Sequence, residues 1–533
     1  MADKELEREI KRRKTFAIIS HPDAGKTTMT EKLLLYGGEL REAGSVKARK
    51  SGKHAVSDWM DIEKQRGISV TSSVLQFEYE GNFINILDTP GHQDFSEDTY
   101  RTLVAADSVV MLIDGAKGVE AQTIKLFHVC KMRGIPIFTF VNKMDRAAKN
   151  PFELMEEIEN VLGIRSCPMN WPIGTDGDFK GVYDRNKKKI LMFNGGKHGM
   201  TEVDSIEGDV EDSVFADLLG EPYHSNLKDE IELLDMAGDQ FDSGLIQKGE
   251  LTPMYFGSAM TNFGVEAFLE SFLEMAPGPA PRISSGGEVD PLTDEFTGFV
   301  FKIQANMNPA HRDRLAFLRV CSGKFTKGMD VFHVREGKKV RLSQPTQMMA
   351  QERSIVEHAY AGDIVGLFDS GIFKLGDTLC EKRNNIKYEG IPVFPAEHFA
   401  RISPIDSMKR KQFQKGIYQL AEEGTIQVFR QIDYSTDTLV VGAVGVLQFE
   451  VLQHRLSSEY SVEIRLQMLP HKFVRWVVNE GIDLTELQLT STTLRAVDRE
   501  ENNVIITENE WAINWALDKN KDLELCDIND KKN

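Results

Sequence analysis

The sequence predicts an α/β domain with an inserted subdomain, followed by an antiparallel β-barrel and an α+β C-terminal domain. Continuous apolar runs such as 108–114 suit strands that are buried on both faces of a mostly parallel sheet. Short β-rich segments with turn glycines fill 297–385, and helical and strand patterns alternate afterwards. A length of 533 residues is too great for one core, so several domains are expected. The predicted boundaries are 1–280 with an insertion at about 150–250, a linker at 281–296, the barrel at 297–385 and the last domain at 386–533.

Composition places the chain among soluble globular proteins, with 41% hydrophobic and 27% charged residues. A net charge of −18 argues against a protein that coats nucleic acid broadly, although 11–14 and 409–411 are local basic runs. The five cysteines show no CxxC spacing, which predicts reduced thiols and a cytoplasmic location. The sequence shows neither an apolar signal core at its charged start nor a stretch of membrane-spanning length.

The first functional motif lies between an apolar strand pattern and a leucine-rich helical pattern. Strand, tight loop and helix form the context of a phosphate-binding loop, whose backbone N–H groups and helix N-terminus point at an anion. Lys26 is expected to reach the β- and γ-phosphates, and the Thr27 hydroxyl is expected to bind Mg²⁺. One position departs from the pattern, because Ser20 stands where the first glycine is usual. The predicted phosphate-binding residues are Ser20, His21, Pro22, Asp23, Ala24, Gly25, Lys26 and Thr27.

A second motif follows the strand predicted at 83–87. A carboxylate at the tip of that strand, Asp88, can hold Mg²⁺ through the water shell of the ion. Gly91 places no side chain between its N–H and a γ-phosphate. His92 would be mostly neutral near pH 7 and able to orient water, so it is the predicted catalytic residue. The predicted nucleotide-binding residues of this segment are Asp88, Thr89, Pro90, Gly91 and His92.

A third motif predicts which base is bound. The run Asn142, Lys143, Met144 and Asp145 follows a buried strand. The Asp145 carboxylate can accept both N–H groups of guanine, whereas adenine lacks these donors and would be rejected by roughly 10⁴-fold or more. The backbone of Ser258 and Ala259, in a turn after a further predicted strand, can support the base. The first domain is therefore predicted to be a P-loop GTPase domain that binds GTP or GDP with Mg²⁺.

These motifs, in this order, resemble those of the translational GTPases. Several phrases are similar to the release factor 3 family in particular, and the likeness covers most of the chain but weakens after about residue 480. The phrases lie at 21–28, 57–60, 65–69, 95–101, 299–307 and 442–449.

The resemblance implies roles for individual residues. Asp23 would be the loop acid that supports phosphate charge, and His92 would be the catalytic histidine that large-subunit ribosomal RNA positions. Ser69, near the end of the first switch segment, stands where elongation factors usually carry a threonine that binds Mg²⁺. The implied metal ligands are Thr27, Ser69 and Asp88.

The remaining segments carry structural expectations. About 110 positions separate the guanine motif from its supporting turn, which is too long for a simple connection and predicts a small subdomain with a hairpin at 179–193. The pattern at 406–423 predicts a helix, and the resemblance implies a split β-α-β sandwich around it. Trp511 and Trp515, four positions apart, are interpreted as packing anchors on a terminal helix, and the end after Lys519 is expected to fray.

The leading interpretation is a ribosome-dependent GTPase of translation termination. The resemblance implies that it stimulates release of class I peptide chain release factors after peptide release, with GTP hydrolysis driving its own departure. The implied partners are the ribosome, including large-subunit rRNA, and class I release factors, without DNA or membrane, and the protein is expected to be a monomer. An elongation or translocation factor is the alternative, although the chain has no room for the two further C-terminal domains of elongation factor G. An ATP-dependent kinase, which Asn142 and Asp145 disfavour, and a non-hydrolysing nucleotide-binding module are the other hypotheses.

Overall fold

The structure is a computed structural model. It describes residues 2–38, 63, 69–175, 177–193, 205–305, 314–343, 345–349, 352–383, 386–389, 391, 394–432, 439–479 and 481–527. The phrases at 57–60 and 65–68 and the end of the phrase at 299–307 lie outside these residues. The helices are α1 (Ala2–Lys11), α2 (Lys26–Tyr36), α3 (Ser96–Leu103), α4 (Ala121–Met132), α5 (Pro151–Glu157), α6 (Ser213–Leu219), α7 (Glu221–Ala237), α8 (Ser243–Gln247), α9 (Val265–Met275), α10 (Arg410–Glu422), α11 (Leu447–Tyr460) and α12 (Glu510–Lys519). Short 3₁₀ helices span Gln93–Phe95 and Ser407–Lys409, and a π-helical turn spans Ile158–Leu162.

The first part of the chain is built on a mostly parallel sheet. Its strands and those of the insertion are β1 (Arg13–Ser20), β2 (Ser73–Tyr79), β3 (Asn82–Asp88), β4 (Ser108–Asp114), β5 (Ile137–Asn142), β6 (Arg165–Pro168), β7 (Asn170–Ile173), β8 (Gly181–Asp184), β9 (Lys189–Met192), β10 (Ser205–Glu207) and β11 (Leu251–Phe256). Seven of them pair in the order β2-β3-β1-β4-β5-β11-β6, and only the β2–β3 pair is antiparallel. The predicted doubly covered parallel sheet is confirmed.

Apolar side chains fill both faces of this sheet. Phe272 of α9 meets the rings of Phe16 and Phe138 edge-on, with centroids 4.7 and 4.8 Å apart. The buried side of α9 includes Phe268 and Leu269, both inaccessible to solvent. Because all parallel strands end at one edge, the loops after β1, β3, β5 and β11 are brought together there.

The interval 150–250 contains two kinds of structure. Strands β7 to β10 form a separate antiparallel sheet in the order β10-β9-β8-β7, including the predicted hairpin β8–β9. Trp171 of β7 is fully buried and packs against Phe256 of β11 at 5.6 Å, which joins this sheet to the main domain. Strand β6, within the same interval, is instead an edge strand of the seven-stranded sheet.

The middle of the chain is an antiparallel β-unit. A short hairpin, β12 (Arg282–Ser284) with β13 (Gly287–Val289), lies in the predicted linker. Its strands are followed by β14 (Thr297–Ala305), β15 (Arg314–Ser322), β16 (Lys324–Thr326), β17 (Asp330–His333), β18 (Lys338–Arg341), β19 (Pro345–Met349), β20 (Glu352–Ile355), β21 (His358–Tyr360), β22 (Ile364–Phe368) and β23 (Thr378–Cys380). Eight of these pair in the order β18-β17-β23-β14-β15-β22-β19-β20, and β16 pairs with β21.

The C-terminal domain has the implied β-α-β-β-α-β order in its first half. Its strands are β24 (His398–Pro404), β25 (Gln427–Gln431), β26 (Leu439–Ala443), β27 (Ile464–Leu469), β28 (Phe473–Val477), β29 (Leu494–Val497), β30 (Asn503–Thr507) and β31 (Leu525–Cys526). The order β27-β24-β26-β25, with α10 and α11 as crossovers, is that of a split β-α-β unit. The sheet then continues through β29-β30-β28-β31, which the sequence patterns did not indicate.

Two expectations about the end of the chain are wrong. Trp511 is 62% exposed and Trp515 is 37% exposed, while the smaller Ala512, Ile513 and Ala516 face the sheet. The tryptophans therefore contact each other, with ring centroids 5.4 Å apart, and do not anchor the helix. Residues 520–527 do not fray as expected, because β31 pairs with β28, and residues 528–533 lie outside the described residues.

The basic run at 11–14 includes a buried junction with the β-unit. Arg13 is buried, and its guanidinium donates to Asp363 of the β-unit at 3.0 Å. The neighbouring Thr15 hydroxyl donates to the carbonyl of Gly362 at 2.7 Å. The second basic run, at 409–411, begins a helix whose Arg410 and Lys411 are exposed.

None of the five cysteines forms a disulfide, and within the described residues no helix has the length and apolarity needed to cross a bilayer.

Candidate nucleotide-binding site

The loop between β1 and α2 has the backbone shape of an anion cradle. Asp23 and Gly25 both adopt positive φ, at 67° and 101°, so the chain reverses sharply before α2 begins at Lys26. Gly25 also lies against the side chain of Asn142, and any Cβ at this position would clash with the Asn142 amide nitrogen. The glycine is therefore required by both conformation and close approach. The first N–H groups of α2 have no carbonyl partner within the helix, so they are expected to meet an anion in the space that the loop encloses.

Lys26 and Asp88 meet where β1 and β3 end. The Lys26 ammonium is 2.6 Å from the Asp88 carboxylate, and the Thr30 hydroxyl donates to the same oxygen at 3.0 Å. All three side chains are buried. Thr89 continues the strand end by donating its hydroxyl to the carbonyl of Ile18 at 2.7 Å. Thr30 was not among the predicted site residues, although its position one helical turn after Lys26 indicates that it shares the same face.

The segment that carries the predicted catalytic histidine runs beside the loop. An added Cβ at Gly91 would lie 3.6 Å from the backbone of Pro22, and the Pro90 carbonyl accepts from Thr99 at 3.1 Å. His92 is half-buried and precedes the 3₁₀ turn Gln93–Phe95. Its Nδ1 accepts the backbone N–H of Asp94 at 3.2 Å. This hydrogen bond assigns the proton of the neutral ring to Nε2.

Asn142 connects the three predicted binding segments. Its amide nitrogen donates to the carbonyl of Ala24 in the phosphate loop at 2.8 Å. Its amide oxygen accepts the backbone N–H of Lys143 at 2.9 Å and that of Ala259 at 2.8 Å. The side chain is buried, so these contacts fix the positions of the phosphate loop, the guanine motif and the supporting turn relative to one another.

Lys143 reinforces the same arrangement. Its backbone has a positive φ of 69°, and its ammonium donates to the carbonyl of Asp23 and to the carboxylate of Asp114, both at 2.6 Å. The N–H of Met144 donates to the carbonyl of Gly257 at 3.1 Å. Asp114 was missed as a site residue, although its place at the tip of a buried strand next to β5 was a usable signal.

The residues predicted to face the base are those around Asp145. Its Oδ1 is buried and has no hydrogen-bond partner within the described structure. A buried carboxylate oxygen without a donor is costly, so the site fits a ligand that supplies N–H groups, as guanine does. Ser20 Oγ and His21 Nδ1 are also buried without partners in the described residues. Ser258 is fully buried, with its N–H donated to the carbonyl of Phe263 at 3.0 Å.

The predicted metal ligands lie on three different segments. Thr27 is in the first turn of α2, Asp88 ends β3, and Ser69 is half-buried before β2. Val70, next to Ser69, donates its N–H to the carboxylate of Glu63 at 2.9 Å. No group of three or more His, Cys, Asp or Glu side chains that could hold a metal occurs among the described residues. Hydroxyl oxygens with a single carboxylate suit Mg²⁺, which keeps several waters and binds few protein groups.

Comparisons with known proteins agree with the domain order. Residues 11–278 match the family model described as the elongation factor Tu GTP binding domain, and residues 295–382 match elongation factor G domain 2. Residues 388–517 match the class II release factor RF3 C-terminal domain.

Curated relatives match over nearly the whole chain. A protein of Symbiobacterium thermophilum named peptide chain release factor 3 is 59% identical over 515 residues, which is 97% of each chain. A protein of the same name from Listeria monocytogenes is 52% identical over 525 residues, covering 98% of this chain and 99% of the relative. A crystal structure of a protein from Thermus thermophilus is similar in fold, with a TM-score of 0.68 and 20% identity, over 91% of this chain and 72% of that one.

Proposed function

The chain belongs to the peptide chain release factor 3 family, and from this membership we propose that it acts on ribosomes that have just released their peptide. It is a GTP-binding release factor with a GTPase domain. In the proposed reaction it stimulates departure of class I release factors from the ribosome, and GTP hydrolysis then drives its own departure. We further propose that it works as a monomer in the cytoplasm and contacts large-subunit rRNA.

The observation that carries the nucleotide assignment is the set of hydrogen bonds made by Asn142. They join the segments proposed to bind opposite ends of one guanosine nucleotide. Asp145, with its unpartnered buried oxygen, is proposed to accept the two guanine N–H groups. Ser258 and Ala259 would support the base from behind, while Lys143 and Met144 hold the segment in place.

The phosphates are assigned to the loop at 20–27, because its N–H groups and Lys26 surround the same space. Lys26 donates to Asp88 in this structure, and in the proposed complex its ammonium turns to the phosphates. Bound Mg²⁺ would neutralise developing phosphate charge, held by the residues proposed from the sequence, Thr27, Ser69 and Asp88. His92 is proposed to orient the attacking water through Nε2, with Thr89, Pro90 and Gly91 placing it near the γ-phosphate.

The match of residues 388–517 to a release factor domain supports termination over the elongation alternative. The test is to load ribosomes with a labelled class I release factor, trigger peptide release, and follow dissociation of the factor. With this protein and GTP we expect dissociation to accelerate at least tenfold. Lys26→Ala, which removes the ammonium proposed to bind phosphate, should abolish the acceleration. Unchanged dissociation with the intact protein, at saturating GTP, would refute the proposed step.

A further inference from the structure

Asp94, two residues after His92, contacts the C-terminal domain. The Oδ2 atom of Asp94 accepts the backbone N–H of Leu447 at 2.8 Å, although 353 positions separate the two residues. Leu447 is the first residue of α11 in the C-terminal domain. A carboxylate at a helix N-terminus is favourable, because the unpaired N–H groups there carry partial positive charge.

The loop before α11 lies directly against Asp94. An added Cβ at Gly445 would clash with the side chain and with Cα of Asp94. The backbone of the loop therefore packs directly on the aspartate, and only glycine allows this approach. If the C-terminal domain moves, either Asp94 moves with it or the contact breaks.

The loop is itself rigidly held in the C-terminal domain. The amide oxygen of Gln448 accepts the N–H groups of Val444 at 2.8 Å and Gly445 at 3.0 Å. Its amide nitrogen donates to the carbonyl of Thr425 at 2.9 Å. Because these hydrogen bonds fix the loop to the rest of the C-terminal domain, its contact with Asp94 depends on the position of the whole domain.

Apolar packing surrounds this polar contact. Val70, Phe95 and Val451 are buried together, with Leu447 packed against them. The cluster joins the segment after Ser69, the 3₁₀ turn after His92, and α11. Apolar side chains beside the contact lower the local dielectric, which strengthens the hydrogen bond.

On its other side, Asp94 holds the histidine ring. Its N–H donates to Nδ1 of His92 at 3.2 Å, and its Oδ1 lies 3.4 Å from the same nitrogen. We propose that Asp94 is a positioning residue through which the seating of the C-terminal domain on the GTPase domain sets the ring orientation of His92. This inference rests on the proposed role of His92 in hydrolysis. A fixed Nδ1 leaves Nε2 aimed at one point, and small losses of such alignment slow a reaction severely.

The test uses three substitutions in the full-length protein. Gly445→Ala forces the loop away from Asp94, and Asp94→Ala removes the acceptor for Leu447. Asp94→Asn keeps an oxygen acceptor and the backbone N–H but removes the charge. Gly278→Ala is the matched control, because a Cβ at Gly278 meets nothing within 4 Å.

Two readouts separate the inference from the proposed function. The first is the ¹⁵N spectrum of histidine-labelled protein without ribosomes, in which His92→Gln identifies the His92 signals. We expect these signals to shift in Gly445→Ala and Asp94→Ala and to stay in place in Gly278→Ala. The second is single-turnover GTP hydrolysis on ribosomes, which should fall roughly tenfold or more in the first pair with GTP affinity changed less than about twofold.

Unshifted His92 signals in both Gly445→Ala and Asp94→Ala would overturn the inference, whatever the hydrolysis rates. An equal loss of hydrolysis in Asp94→Asn and Asp94→Ala would also overturn it, because the charge and not the contact with Leu447 would then matter. If Gly445→Ala does not fold, the two Asp94 variants decide. Full ribosome-stimulated hydrolysis by His92→Gln would instead refute the proposed role of His92, and the spectra would still decide whether Asp94 positions the ring.

Discussion

Replacing Asn142 with alanine should weaken binding of every nucleotide, regardless of its base. The substitution removes the donor to the Ala24 carbonyl and the acceptor for the N–H groups of Lys143 and Ala259. These contacts hold the phosphate loop and the guanine motif in one geometry, so their loss allows the segments to separate. Asn142 lies behind both segments, and its contacts with them depend on neither the base nor the phosphates.

The expected loss of affinity follows from the backbone groups that lose their hydrogen-bond partners. A buried polar group left without its partner costs about 1–3 kcal/mol, and water entering the space of the lost amide can satisfy part of the set. A total of about 2–4 kcal/mol corresponds to roughly 30- to 800-fold in affinity, since about 1.4 kcal/mol is tenfold. The cost falls on binding, because the nucleotide-free variant can relax whereas the bound state needs both segments in place.

The assay is equilibrium titration with fluorescent GDP, and with the xanthine analogue in parallel. Asn150→Ala is the control, because its side chain also accepts a backbone N–H, that of Phe152, but at the exposed start of α5. It should cost about 1 kcal/mol of stability as a lost helix cap and leave affinity unchanged. GDP affinity of Asn142→Ala within about threefold of the natural protein would show that the contacts do not hold the site together.

Three further outcomes test other parts of the molecule. Asp145→Asn should lower GDP affinity by roughly 100-fold or more and improve binding of the xanthine nucleotide, and retained guanine selectivity would remove Asp145 from the base pocket. His92→Ala should keep GTP affinity while ribosome-stimulated hydrolysis falls by roughly 10²–10⁴-fold in a quench-flow assay. Burial alone would raise the pKa of Asp377, but hydrogen bonds from His333 and Arg335 hold it below the usual 3.8. A carboxylate whose pKa is lower in the folded than in the unfolded protein stabilises the fold above the unfolded pKa, and this stability is lost as the pH falls through the folded pKa. Asp377→Asn should therefore be less stable than the natural protein at pH 7. Thermal unfolding should show this difference shrinking below about pH 4.

The sequence was sufficient wherever one local pattern decides the structure. The strand at 108–114 was predicted with its observed bounds, because the whole of an uninterrupted apolar run is buried and the polar residues on either side mark its ends. The helix predicted from its spacing at 406–423 is observed as α10, Arg410–Glu422. Local pattern failed where the partner is distant in the chain. Arg13 belongs to a basic run that suggests a surface, yet it pairs with Asp363, 350 positions away.

The tryptophan error has a different physical cause. Trp511 and Trp515 share a helix face, and so do Ala512, Ile513 and Ala516 on the opposite side. Side-chain size favoured the tryptophans as anchors, but the helix contacts β30 with the face that carries Ala512, Ile513 and Ala516. The spacing of the tryptophans therefore identified one face of α12 but could not determine which face the sheet covers.

Lys302 is a second residue through which another domain contacts a segment near the proposed nucleotide site. Its ammonium, from β14, donates to the Thr71 hydroxyl and the Ser72 carbonyl just after Ser69, and lies 3.4 Å from the Asp98 carboxylate of α3. Burial would raise the pKa of Asp98, but Lys302 and the hydrogen bonds from Ser72 hold it below its usual range, so the carboxylate is charged. A buried charge left without its partner is strongly destabilising, typically by about 3–5 kcal/mol. The β-unit therefore cannot withdraw from α3 unless Thr71 and Ser72 rearrange or water enters. Any nucleotide-dependent rearrangement proposed for the segment at Ser69 would act directly on this junction.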